Sequence, residues 1–254
     1  MVLFDYSREP RSDIAFVDMK SFYASCECIA LGLDPLKTSL CVMSRVENSA
    51  GLILAATPLF KKNFGSQNVS RSYNLPFDVH TRKFNYTAAR KQGLPITADY
   101  VRFIEDPAQK TLLVPPRMNY YIQKNMEIQK IFQDFAAPDD IFPYSIDEGF
   151  LDLTSSINYF IPDQTLDRRT KLDLLAARIQ QAIWKKTGIY ASIGLSNANP
   201  LLAKLALDIE AKHTKKMRVN WSYEDVPSKV WTIPTMTDFW GIGHRTATRL
   251  KKLG

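Results

Sequence analysis

Two adjacent carboxylates, Asp147 and Glu148, sit inside Tyr144-Ser145-Ile146-Asp147-Glu148-Gly149-Phe150-Leu151-Asp152. Ile141, Phe142, Tyr144 and Ile146 lead in and Phe150, Leu151 and Leu153 lead out, which predicts strand, tight turn, strand. Neighbouring side chains of a straight strand point to opposite faces, so two adjacent acids need a bend to share one site. Gly149 could provide it. A third acid, Asp18, ends the apolar run Ile14-Ala15-Phe16-Val17, read as a buried strand that precedes a helix with Ser21 as N-cap. Asp18, Asp147 and Glu148 together would hold hard divalent cations, because Mg²⁺ takes a few carboxylates plus substrate phosphate oxygens. A pair of such ions about 4 Å apart activates a hydroxyl and stabilises a leaving pyrophosphate. The same chemistry serves nucleotidyl transfer or a two-metal phosphodiesterase. An exposed acidic turn and a strand-end aspartate capping its own turn are the bland alternatives.

Basic groups at phosphate-friendly places accompany these acids. Trp240-Gly241-Ile242-Gly243-His244-Arg245-Thr246 is a Gly-x-Gly turn opening onto an Ala/Leu/Lys helix. Such a turn exposes backbone N–H groups at the dipole-positive helix end, a seat for phosphate, although a simple helix–helix turn has the same pattern. Lys61 and Lys62 end a helix predicted after Pro58 and stopped near Gly65, and Lys212 opens the basic run 212–216.

The elements that must position these residues are readable in outline. Strands are predicted at Leu40–Met43, Leu52–Ala55, Leu112–Val114 and Ile189–Leu195. Helices are predicted at Arg117–Phe135, at Leu166–Thr187 with the stripe Leu172, Leu175, Ile179, Ile183 and Trp184, and at Pro200–Ala211. Residues 66–110 read as polar, basic and irregular, with one short helix near Tyr86–Arg90. Strands bracketing long helices indicate an α+β fold, an antiparallel sheet with helices on one face.

Composition sets bounds on all this. The 254 residues are 45% hydrophobic and 23% charged, with 33 Lys and Arg against 26 Asp and Glu, a net charge of +7. That balance favours a polyanionic partner such as nucleic acid, or describes a merely basic soluble protein. Cys26, Cys28 and Cys41 make neither a disulfide framework nor a zinc set, and read as packing. No signal peptide is evident and no run reaches the ~18 apolar residues of a membrane span, so a reducing cytoplasmic setting is expected.

Phe16-Val17-Asp18-Met19-Lys20-Ser21-Phe22-Tyr23-Ala24-Ser25-Cys26-Glu27, the 144–152 stretch and Gly241-Ile242-Gly243 resemble three ordered motifs of the Y-family translesion DNA polymerases. The Ser-Cys-Glu and Trp-Gly-Ile-Gly forms are similar to the bacterial UmuC-like (ImpB/MucB/SamB) branch. The likeness covers nearly the whole chain and is weakest between 66 and 110. It implies a palm at 1–21 and 117–219, small α/β fingers at 22–116 and a helix-hairpin-helix thumb starting at 220. It further implies template-directed DNA synthesis past damaged bases with two Mg²⁺ ions, or Mn²⁺ as their substitute. Asp18, Asp147, Glu148 and the Met19 carbonyl would be metal ligands. Tyr23 would be the steric gate against a 2′-hydroxyl, where the residue alone reads as a core aromatic. Phe22, Tyr23, Lys62 and Lys212 would hold the triphosphate, Lys212 with one extra residue between it and Ser196. Gly241, Gly243, His244, Arg245 and Thr246 would grip the duplex backbone without reading sequence.

Primer-template DNA and deoxynucleoside triphosphates are the implied partners, in a nucleoid-associated bacterial enzyme of the SOS response. A sliding clamp and SOS accessory proteins would act through C-terminal regions that the chain lacks. Leu59 departs from the polar or aromatic triphosphate contact of many relatives. The polymerases also continue into a further DNA-gripping domain, so a truncated, weakly active enzyme and a non-catalytic DNA- or partner-binding fragment are both compatible with the sequence.

Overall fold

The computed structural model describes residues 5–45, 50–65 and 70–253. Strand β1 (Ile14–Met19) runs into α1 (Phe22–Ala30), and β2 (Ser39–Met43) and β3 (Ile53–Ala56) precede α2 (Pro58–Phe64). Helices α3 (Tyr86–Lys91) and α4 (Ala98–Glu105) lead to β4 (Thr111–Val114) and the long α5 (Met118–Phe132). Strands β5 (Ile141–Pro143) and β6 (Glu148–Asp152) form the acidic hairpin, followed by α6 (Ile157–Phe160) and α7 (Arg168–Thr187). Next come β7 (Ala191–Ser196), α8 (Pro200–Ile209), β8 (Arg218–Asn220) and α9 (His244–Lys251).

The chain divides into two compact units, one of residues 1–19, 126–186 and 190–254, the other of 20–125 and 187–189. The first is built on a five-stranded sheet in the order β5-β6-β1-β7-β8. Three of its pairings are antiparallel, as expected, but β8 joins β7 in parallel, because α8 carries the chain back along the sheet before β8 begins. Ile14 and Phe16 pack with Phe150, Ala203 and Leu207, so α8 covers one face. The alternate residues Ala15, Val17, Leu151, Ile193 and Leu195 are equally buried, so burial extends to both faces rather than one. On α7, Leu172, Leu175, Ile179 and Ile183 are buried as the periodicity predicts, and Gln180 Nε2 donates to the Ala191 and Met217 carbonyls. Trp184 departs from that stripe and is half exposed.

Gly194 decides how closely α8 can approach. A Cβ built there would lie 2.0 Å from the Ala203 carbonyl oxygen and 2.4 Å from Leu207 N. Only glycine lets the helix backbone rest on the strand.

The second unit is a three-stranded sheet, β3-β2-β4, antiparallel then parallel. Ala24 and Cys28 of α1 pack on Leu40 and Val42, while Cys41, Met43 and Ile53 face Phe60, Phe64, Phe77, Phe84 and Ile104. Thr57 caps α2: its buried hydroxyl accepts from Phe60 N at 3.3 Å and Leu40 N at 3.1 Å, and donates to the Thr38 carbonyl at 2.6 Å. The 66–110 stretch, of which 66–69 lie outside the described residues, contains a second helix that the sequence reading missed. Thr97 caps this α4, and Ile104, Tyr100 and Val101 seat it in the core. The expected cap of α1 also differs. Ser21 occupies the position in left-handed conformation, φ 51°, and caps nothing with its side chain. All three cysteines are free and buried.

Candidate active site

The site forms where β1 and β6 end together. Antiparallel register sets Asp18 directly opposite Glu148, two residues beyond the Phe16–Phe150 pair, so both carboxylates leave the α8-covered face at the sheet's edge. Glu148 belongs to the strand and Asp147 to the turn before it. Asp147 meets β1 through its backbone, its carbonyl accepting from Met19 N at 2.9 Å. Its carboxylate accepts from Ser145 Oγ at 2.8 Å, and Ser145 Oγ in turn accepts from Glu148 N at 3.2 Å. Gly149 is not the bend; it is paired in β6, where a Cβ would lie 3.1 Å from the Phe142 carbonyl oxygen.

Over the acids lies a face of α8 and the turn after it. Lys204, Asp208 and Lys212 recur every four residues and so line up along one side. Lys212 Nζ is 2.9 Å from Asp18 Oδ2 and 2.9 Å from Asp208 Oδ1. Lys204 Nζ donates to Glu148 Oε1 at 2.8 Å and stands 5.0 Å from the centre of the Phe16 ring. Burial pushes the Asp18 carboxyl up from 3.8 to about 7; Lys212 opposes this and a hydrogen bond with Glu148 adds to it. Burial also acts to raise Glu148, but the hydrogen bonds from Asp18 and Lys204 outweigh it and hold that carboxyl below its ordinary range. Burial lowers Lys212 less than Asp18 and Asp208 raise it, so its ammonium is stabilised.

Asp18 and Glu148 are thus brought together, whereas Asp147 reaches β1 through its backbone and turns its carboxylate to Ser145, so among the described residues the three acids do not form a ready-made metal cluster. The donors are all oxygen, which suits Mg²⁺ or Mn²⁺ rather than a thiolate- or imidazole-seeking metal. The place where Lys212 reaches Asp18 and Glu148 is already one where positive charge is held. Lys204 and Asp208 were missed from the sequence, although their spacing with Lys212 on one helix was the available signal.

The other expected residues lie elsewhere. Phe22 is buried on α1, and Tyr23 follows it. The Tyr23 ring stacks on Tyr121, centroids 4.4 Å apart and 14° from parallel. Tyr121 is fully buried and donates through its hydroxyl to Glu27 Oε1 at 2.7 Å. Arg117 clamps the same carboxylate through Nε and an NH2 group, at 3.0 and 2.7 Å. Lys62 is exposed on α2. Gly241, at φ 82°, and Gly243 stand open before α9, and His244, Arg245 and Thr246 are exposed. Trp240 meets Tyr144 edge-on at 5.6 Å, anchoring this turn beside the acidic hairpin.

The impB/mucB/samB family model matches residues 17–208, from one residue before Asp18 to Asp208 itself. The chain belongs to the impB/mucB/samB family. It is 34% identical over 252 residues to UvrX of Bacillus subtilis, named as a UV-damage repair protein, covering 99% of this chain and 50% of that one. To DNA polymerase IV 2 of the same organism it is 29% identical, covering 95% of this chain and 48% of the relative. The chain therefore spans about half the length of these two relatives. Its fold is that of Y-family DNA polymerases. The crystal structure of DinB from Sulfolobus solfataricus superposes with TM-score 0.65 at 21% identity, covering 95% of this chain and 57% of that one. An insertion ternary complex of Dbh DNA polymerase gives 0.63 at 23% identity, covering 95% and 58%. The impB/mucB/samB resemblance read from the motifs holds, while the matched span stops short of Lys212 and of the Gly-x-Gly turn.

Proposed function

We propose that the chain carries the nucleotidyl-transfer site of a translesion DNA polymerase. The observation that carries this reading is the Asp18–Glu148 pair, set opposite each other at a strand end with an ammonium bridging them at 2.9 and 3.8 Å. Asp18, Asp147, Glu148 and the Met19 carbonyl would hold two Mg²⁺ or Mn²⁺ ions. When bound, these ions lower the pKa of the primer 3′-hydroxyl and neutralise charge on the leaving pyrophosphate. Glu148 would serve the hydroxyl side, and Asp18 and Asp147 would complete the ligand set. Lys62, Phe22, Tyr23 and Lys212 receive the deoxynucleoside triphosphate, the Tyr23 ring excluding a 2′-hydroxyl. Residues 1–21 and 117–219 act as palm, 22–116 as fingers and the segment from 220 as thumb. There Gly241, Gly243, His244, Arg245 and Thr246 bind the duplex backbone. Damaged template bases, a sliding clamp and SOS accessory proteins belong to the same reading, as does a nucleoid setting. Among the described residues no helix is long and apolar enough to cross a membrane.

Primer extension at low salt with Mg²⁺ or Mn²⁺ tests it, comparing the chain with Asp147→Ala. Extension lost in the variant is expected. Binding of primer-template without extension by the parent would reduce the chain to a DNA-binding portion, and shortening of the primer would replace synthesis with phosphodiester hydrolysis.

A further inference from the structure

The acids at the end of β1 and β6 already have cations. Lys204 has 5% of its side chain exposed, and its ammonium lies 2.8 Å from Glu148 Oε1 and 3.1 Å from Asp208 Oδ2. Lys212 is 31% exposed and reaches Asp18 at 2.9 Å, Asp208 at 2.9 Å and Glu148 at 3.8 Å. With all groups ionised, three carboxylates against two ammonium groups leave a single net negative charge in this network. A dication seeking Asp18 and Glu148 needs the oxygens that Lys212 contacts, and two cations cannot share so small a volume without strong repulsion. The two lysines are also unequal. Lys204 is enclosed beneath α8 over Phe16, and removing it would strand Glu148 and Asp208. Lys212 sits past the end of α8, in a single turn of tight helix at Ala211–His213, with a side chain that is more solvated than that of Lys204.

We propose that Lys212 is a displaceable counter-cation that keeps divalent metal out of the site until a nucleoside triphosphate arrives. Lys204 is the fixed partner, a positioning residue that holds Glu148 in place in both states. The triphosphate offers Lys212 a stronger anionic partner, so nucleotide binding and metal binding become mutually favourable. Each ligand pays for the displacement that the other needs. This inference rests on the reading of Asp18 and Glu148 as cation ligands, but not on whether the chain synthesises DNA.

The test titrates the chain with Mn²⁺, following free Mn²⁺ by electron paramagnetic resonance and protein-bound Mn²⁺ by water proton relaxation. The wild type is expected to bind Mn²⁺ alone at least tenfold more weakly than Lys212→Met or the milder Lys212→Gln. The gain should vanish when Asp18→Asn is added to either. In the wild type, which needs no substitution to remain folded, relaxation enhancement should appear only when Mn²⁺ and dTTP are both present. Equal Mn²⁺ affinity in the wild type and both variants, unaffected by dTTP, overturns the counter-cation while leaving the acids as ligands. No Mn²⁺ bound by any of them, with or without dTTP, overturns the ligand assignment as well.

Discussion

At the scale of single residues, the most consequential addition to the expected site is the support beneath Tyr23. Its ring lies on Tyr121, whose hydroxyl is bound to Glu27, and Glu27 is held in turn by Arg117. Two aromatic rings stacked over a buried carboxylate leave Tyr23 little freedom on that side. Glu27→Ala strands the buried Tyr121 hydroxyl and releases Arg117, at a cost of about 2 kcal/mol in urea denaturation. Tyr121→Leu removes the stack itself. In an active enzyme it should raise ribonucleotide incorporation relative to deoxynucleotide, whereas Tyr121→Phe, which keeps the ring, should leave that ratio near wild type. A ratio unchanged by Tyr121→Leu would show that Tyr23 is oriented by its own backbone.

Among the elements, the contact of α8 with β7 governs the site, because α8 carries Lys204 and Asp208 and leads to Lys212. The helix backbone rests at Gly194, where an added Cβ would lie 2.0 Å from a backbone oxygen that no rotamer change can move. Gly194→Ala must therefore push α8 outward. Overpacking of this kind costs about 3 kcal/mol, measurable as a lower urea midpoint at constant m-value. The same shift would draw both lysines away from Asp18 and Glu148, so site and fold should weaken together.

For the whole molecule, charge is the relevant quantity. A net +7 with exposed His244, Arg245 and Thr246 at the Gly-x-Gly turn suits a polyanion held by its backbone. The logarithm of primer-template affinity should fall linearly with the logarithm of salt concentration. Arg245→Ala and Arg249→Ala should each lower that slope by about 1 without changing any sequence preference. A slope unaffected by both substitutions would place the duplex on another surface. Because the chain spans about half of the UvrX and polymerase IV 2 relatives, the slope measured here is that of this portion alone.

The sequence by itself determined the elements and the acids. Apolar runs, Pro58 at a helix start and glycines at 65 and 188 mark strands and helix ends through local chemistry that does not depend on distant residues. Asp18, Asp147 and Glu148 stood out because carboxylates at strand ends and turns are few and chemically conspicuous. Only the tertiary structure decided how they are arranged. The register of β1 against β6 pairs Asp18 with Glu148 across 130 residues of chain, and no local pattern encodes that pairing. Lys204 and Asp208 were visible as a helical repeat, yet their role depends on Gly194 bringing α8 onto the sheet. Glu27 entered only as part of the Ser-Cys-Glu form and Tyr121 carried no signal of its own; the fold sets them together beneath Tyr23. The helix at Ala98–Glu105 escaped notice because its apolar face is narrow and gains its stability from the core formed by Phe60, Phe64 and Phe84. Propensity and spacing act within a few residues, whereas a charged site is made where distant strands and a helix converge.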